Sequence, residues 1–423
     1  MNIRSIINRK RLKEQLSYKE IEYAIKGFLN NDIPDYQMSS LLMAIAINGL
    51  DEQEIMDFTD VIINCCQVKE LNNYEYNIVD KISVGGISDN VSLILASLVA
   101  SCDTKFAKID FSSSVYNDGI IDKVESISGF TPVMSIQEYD NQINNVGVVI
   151  GKIDKLIPVY SRIYKLCDIT STLSSIPLFV SMMMSKEIIG GVNKVLIEIN
   201  IGQDELIKNI GEAKLLSETF IKIGKKYNVE VICILIDMNA FLGNSLGNSL
   251  EIKEAIETLQ GNGPKDLTNM VVAMGSYLIS MDKKILLEKS KDLVIQNIKN
   301  GNAYNKFLEL VKKQQGNIND IPISNKVFSI KSSKTGFVTK IDTKSVENII
   351  KQIGAGRKEL ADAIDHTVGM VLSKKVGDYV IENEELAKVY LNKIDLSLNQ
   401  VLSCFEIGET LGQTEPLIKE IIK

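Results

Sequence analysis

A chain of 423 residues with 45% hydrophobic and 24% charged side chains has the composition of an ordinary globular protein, long enough for two or three domains. Its net charge of −7 excludes a general nucleic-acid binder, because phosphate backbones demand a basic face. No apolar run approaches the ~20 residues that span a bilayer, so no membrane association is expected.

The first seventy residues read as helices. Ser17-Tyr18-Lys19-Glu20 has capping-box spacing, with Ile21, Ala24, Ile25 and Phe28 following on one face. Pro34 breaks that helix, a second runs to Gly49, and Asp51 caps a third. From about residue 76 short β-rich runs at 77–80, 105–108, 146–150, 194–199 and 229–236 alternate with helices, which predicts a parallel sheet flanked by helices. The Met-rich helical stretch 157–190 interrupts this alternation and is expected to return to the helical layer. The expected domains are therefore 1–70 with 157–190, then 75–156 with 191–310. The polar run Lys312-Lys313-Gln314-Gln315-Gly316-Asn317 reads as a linker, and alternating strands beyond it predict a small α+β domain over 330–423.

Two other features carry chemistry. Asp80-Lys81-Ile82-Ser83-Val84-Gly85-Gly86, between a short strand and the apolar run 91–100, has the frame of an anion-binding turn: strand, glycine pair, helix start. The six cysteines (Cys65, Cys66, Cys102, Cys167, Cys233, Cys404) form no CxxC pair, and His366 is the sole histidine. They read as reduced thiols of a cytoplasmic protein rather than zinc ligands, and Met1-Asn2-Ile3-Arg4 opens no secretory pattern. Cys167 is a candidate nucleophile only if Arg162 or Lys165 faces it.

Asp32-Ile33-Pro34-Asp35-Tyr36-Gln37-Met38-Ser39 resembles the N-terminal signature of the thymidine and pyrimidine-nucleoside phosphorylases. Ile121-Asp122-Lys123-Val124-Glu125-Ser126, Ser175-Ile176-Pro177-Leu178, Gly247-Asn248-Ser249-Leu250-Glu251 and Gly261-Asn262-Gly263-Pro264 extend the resemblance across the chain. It implies a helical domain, a larger α/β domain with the site in the cleft between them, a small C-terminal domain, and a homodimer formed through the N-terminal helices. The implied reaction splits a pyrimidine nucleoside with phosphate into free base and pentose 1-phosphate.

Carried over position by position, the resemblance assigns phosphate contacts to Lys81, Ser83 and Ser92 and a base contact to Lys186. Other positions differ. The histidine after the lysine is Ile82, the base-contacting arginine is Cys167, and a base-contacting serine is Met182. In the second phosphate loop, a serine is replaced by Asp110 and a threonine by Ile120, and Phe111, Ser113, Val115 and Asp118 stand where the family has glycine. No cofactor is implied beyond a monovalent cation. For that site Leu242, Ser245 and Glu254 match, while Ser88 and Asn90 stand for the family's glycine and threonine. The expectation is a fold-retaining homologue with little phosphorolysis, binding a nucleoside or an anion, or regulating a partner such as a paralogous phosphorylase. The alternative is a pentosyltransferase that is slow or altered in substrate.

Overall fold

A computed structural model describes residues 1–65, 71, 74–86, 90–110, 119–152, 158–203, 205–238, 241–357, 362–393, 396–410 and 416–423. Four helices come first: α1 (Ile3–Arg11), α2 (Tyr18–Leu29), α3 (Asp35–Asn48) and α4 (Glu52–Cys65). At the start of α2 the Ser17 backbone N–H donates to Glu20 at 2.9 Å. Before α4, Asp51 and Glu54 exchange backbone-to-carboxylate bonds of 2.8 and 2.9 Å. Glu54 also accepts from the buried Lys10 ammonium at 2.7 and 2.8 Å, which ties α1 to α4.

The α/β body runs β1 (Ile78–Val84), α5 (Asn90–Ala100), β2 (Lys105–Asp110), α6 (Ile120–Glu125), α7 (Ile136–Asn145) and β3 (Val148–Lys152). Next come α8 (Pro158–Ile169) and α9 (Ile176–Ile189), which pack on α3 and α4. The body resumes with β4 (Lys194–Ile201), α10 (Ile210–Lys226), β5 (Glu230–Asp237), β6 (Ser245–Leu246), α11 (Asn248–Leu259), α12 (Lys265–Lys283), α13 (Leu287–Lys299) and α14 (Asn302–Lys313). A smaller unit follows: β7 (Val327–Lys331), β8 (Gly336–Ile341), α15 (Thr343–Gln352), β9 (Gly369–Leu372), β10 (Tyr379–Val380), β11 (Glu385–Tyr390), α16 (Leu398–Leu402) and β12 (Phe405–Gly408). The last strand is β13 (Ile418–Ile422).

Among the described residues the main sheet has the order β13-β5-β4-β1-β2-β3, parallel except for β13. Its strands are buried on both faces, as crossover helices require. Alternation divides the core. Ile78, Ile82, Val84 and Ile197 join the cluster that includes Phe58, Val61 and Met182 of the helical layer. Val79, Leu196 and Ile234 join the cluster of α5, α12 and α14. The fold is thus a helical domain, an α/β body and a small C-terminal unit.

Two segments differ from the sequence reading. The supposed linker begins inside α14, which holds Lys312 and Lys313, and Gln314 just past the helix is buried against β3, where its amide donates to Ile150 O at 2.7 Å and accepts from Ile150 N–H at 3.2 Å. A side-chain amide supplies both donor and acceptor to a strand edge, which a solvated linker would not do. The chain end also leaves the unit expected over 330–423, because the apolar Ile418, Ile421 and Ile422 pair β13 with the edge strand β5. In return β6 pairs with β9, so the small unit and the body share two seams. A third is Arg357, which reaches Asp122 on α6 at 2.9 Å, next to the buried Lys123–Glu251 pair at 2.8 Å. Asp122 therefore serves domain docking, while Lys123 ties α6 to α11 within the body.

Candidate active site

Asp110 at the carboxyl end of β2 faces Lys186 on α9, beside β1 and β4 in the sheet, on the side where an open α/β sheet places its ligands. Three buried lysines converge there. Lys81 on β1 pairs with Glu198 on β4 and contacts the Ser83 hydroxyl, because the register sets Ser83 beside Glu198. Lys108 on β2 donates to Lys81 O at 2.6 Å and lies 3.5 Å from Asp80 and 3.8 Å from Asp110. Lys186 on α9 lies 3.1 Å from Glu187 and 4.0 Å from Asp110. Three ammoniums thus meet four carboxyl groups of the chain itself.

Burial pushes the Asp80 carboxyl well above the usual range, with Lys108 pulling the other way. Burial alone would lower Lys186, but Asp110, Glu187 and Asp80 outweigh it and hold the ammonium above its ordinary value. Lys186 is only 2% exposed, so it is no solvent-facing helix-end lysine. Asp110 remains partly open to the cleft, at 30% side-chain exposure.

The glycine turn is occupied as well. Gly85 and Gly86 take φ of 78° and 97°, a conformation that side chains rarely adopt. The Gly86 N–H donates to Glu205 at 2.7 Å, and Asn200 donates to Gly85 O at 2.9 Å. Ser92 is buried in the first turn of α5.

Ile82, Cys167 and Met182, at the positions that the resemblance assigns to the base, all belong to one apolar cluster. Burial pushes the Cys167 thiol up to about 12, against the pull of the Thr172 hydroxyl. Arg162 instead lies over the Phe28 ring at 4.0 Å and reaches Asp35 at 3.3 Å, and Lys165 is exposed, so Cys167 is no activated nucleophile. Ile120 sits in the opposite core cluster. His366 is half-buried at the domain seam, where its carbonyl accepts from Ser249 N–H at 3.3 Å. Phe111, Ser113, Val115, Asp118, Ser88 and Cys66 lie outside the described residues.

The remaining positions expected around a cation do come together. Glu254 accepts from the Asn244 and Ser245 N–H groups at 2.8 and 3.0 Å and from Asn90 at 3.2 Å, beside the loop that holds Leu242. Burial lifts its carboxyl to about 7. The buried Asn90 Oδ1 has no hydrogen-bond partner among the described residues. An orphaned amide oxygen beside a buried carboxylate fits a monovalent cation. No cluster of three His, Cys, Asp or Glu able to hold a metal occurs among the described residues.

Sequence reasoning missed Lys108, Glu187, Glu198 and Glu205. The signal for two of them was a charge inside an otherwise apolar strand, Lys108 within Phe106-Ala107-Lys108-Ile109 and Glu198 within Leu196-Ile197-Glu198-Ile199. A charge in a doubly buried strand requires a counter-charge nearby.

This arrangement of helical layer, crevice and sheet has known counterparts. Residues 4–66 match the helical bundle domain of a glycosyl transferase family and residues 75–304 its a/b domain. The chain superposes on anthranilate phosphoribosyltransferase from Thermus thermophilus with a TM-score of 0.58 over 74% of this chain and 99% of that one. At 12% identity, that likeness concerns the fold alone. Residues 337–407 match the pyrimidine nucleoside phosphorylase C-terminal domain. The chain is 35% identical to the pyrimidine-nucleoside phosphorylase of Staphylococcus haemolyticus with both chains fully covered, and 34% identical to that of Staphylococcus epidermidis, also in full. The Staphylococcus aureus enzyme is 36% identical over 94% of this chain and 93% of its own. The chain belongs to the pyrimidine-nucleoside phosphorylase family.

Proposed function

We propose that this chain keeps the phosphorylase scaffold while its phosphorolysis is lost or strongly reduced, and that it acts as a non-catalytic binding or partner-regulating homologue. The observation that carries this reading is Asp110, whose carboxylate lies within 4.0 Å of both Lys108 and Lys186. Phosphorolysis needs an external anion beneath the anomeric carbon, and here a resident carboxylate already occupies the lysines. At ~4 Å and an effective dielectric of ~20, it would repel an incoming phosphate by about 4 kcal/mol per charge. The departing base also needs donors, and the positions that the family resemblance assigns to them, Ile82, Cys167 and Met182, are buried apolar side chains and an un-ionised thiol. One lost donor of this kind costs roughly 10²–10³ in rate. Incubation with uridine or thymidine and phosphate, following free base, tests the reading; turnover comparable to an ordinary enzyme's ~10 s⁻¹ ends it.

The full-length identity to named phosphorylases and the three lysines still in the crevice favour a second reading, a pentosyltransferase with slow turnover or altered substrate. Thermal shift across a nucleoside panel, with and without phosphate, separates the two. Stabilisation by a nucleoside only when phosphate is present supports the enzyme.

We further propose a monovalent cation held by Asn90, Glu254 and the loop of Leu242 and Ser245, with no other cofactor. Pairing of two copies through the helical domain is supported by α3, where Tyr36, Met43 and Ile47 are exposed on one face while Met38, Leu41 and Ile45 are buried. A reducing, cytoplasmic location is consistent with Cys65, Cys102, Cys167, Cys233 and Cys404 being free. No described helix is long and apolar enough to cross a membrane.

A further inference from the structure

We propose that Glu205 is an internal latch on the glycine turn, holding closed a site for a tetrahedral oxyanion that opens when this carboxylate is removed or protonated. The inference rests on the reading of the crevice as an anion site filled by the chain's own carboxylates. It concerns a different residue, on the segment between β4 and α10.

The geometry is specific. Glu205 accepts from the Gly86 N–H at 2.7 Å, a donor of the kind that a positive-φ turn offers to phosphate. Its carboxylate also touches the space above the Gly85 Cα that a side chain would fill, so it lies across both glycines. The turn is held for this contact from below, where Asn200 donates to Gly85 O at 2.9 Å. On β1, the strand that leads into the turn, the Lys81 ammonium is engaged by Glu198. A carboxylate on a backbone donor is a strong, charge-assisted contact, and a second anion cannot share that N–H.

The latch is poised to release. Burial pushes the Glu205 carboxyl upward, and the Gly86 N–H opposes it. Of the charged groups facing it, Glu347 on α15 and Glu198 on β4 favour protonation, and Lys208 opposes it. Glu347 belongs to the C-terminal unit, so docking of that unit adds to the pressure on the latch.

The test compares anion affinity of the full chain with and without the latch, in a background where Asp110 no longer repels. D110S and D110S/E205A are titrated by calorimetry with inorganic sulfate, which does not itself titrate near neutrality. Ribose 5-phosphate is a separate arm that distinguishes a free oxyanion from a sugar phosphate. The expected result is about ten- to a hundredfold tighter binding in D110S/E205A in at least one arm, the worth of one charge-assisted bond. D110S/E205Q keeps the shape without the charge and is expected to gain part of this, which covers a poorly folding alanine variant. Sulfate affinity of D110S should rise as pH falls and that of D110S/E205A should change less. Equal affinities with and without the Glu205 charge in both arms, or identical pH slopes, overturn the latch. Failure of the latch leaves the wild-type turnover assay untouched, and wild-type phosphorolysis would refute the wider reading whatever Glu205 does.

Discussion

The Asp110 carboxylate at the end of β2 lies 4.0 Å from the Lys186 ammonium on α9, so this ion pair joins the sheet to the helical layer across the crevice. In a phosphate-using relative the same space must stay open for an external anion. Here the chain places its own carboxylate beside Lys108 and Lys186.

Lys186→Met removes the buried ammonium shared by Asp110 and Glu187. Leaving a buried carboxylate uncompensated costs about 3–5 kcal/mol, so urea denaturation should show a loss of that order. A loss below about 1 kcal/mol would mean that solvent already screens the pair.

Lys81 and Glu198 offer a cleaner test of internal neutralisation. Either Lys81→Met or Glu198→Leu alone strands a charge in a strand buried on both faces and should cost several kcal/mol. The double substitution should recover most of it, giving a large coupling in the cycle. Additive losses would place the two side chains in separate networks.

Most of the fold was legible and much of the site was not, for one physical reason. Capping boxes at Ser17 and Asp51, strand runs such as 194–199 and the motif residues around Pro34 are local patterns, readable along the chain. The ion pairs that define the crevice join residues 117 apart (Lys81 and Glu198) or 76 apart (Asp110 and Lys186), which only strand order brings together. Glu205 was invisible because nothing in its neighbourhood marks it as the partner of a glycine N–H far upstream. Gln314 misled for the opposite reason: its polar neighbours suggest solvent, yet its amide finishes a strand edge.

Stability should report on Glu254. Burial lifts its carboxyl from 4.5 to about 7 on folding, with the Asn244 N–H opposing, so between those values the folded chain binds the extra proton. Without a bound cation its contribution is therefore full below about pH 4.5 and is lost as pH rises through 7, a change of about 3 kcal/mol. Melting temperatures from acid to alkaline pH should fall less steeply in Glu254→Gln, and potassium should flatten the wild-type decline. Identical slopes in the two proteins would contradict the assignment.

Self-association should depend on the exposed face of α3. Tyr36 and Ile47 are 72% and 74% exposed, so Tyr36→Glu with Ile47→Glu should leave the fold intact. Sedimentation velocity should then show the double variant as a monomer and the wild type as a dimer. A variant that still sediments as a dimer would move the interface off this face.

The most direct measurement is release of uracil from uridine by the purified wild-type chain with saturating phosphate and potassium. The internal carboxylates predict a rate at least about a thousandfold below the ~10 s⁻¹ of an ordinary enzyme. A rate within tenfold of that value would show that phosphate enters the crevice despite Asp110, and would contradict the account.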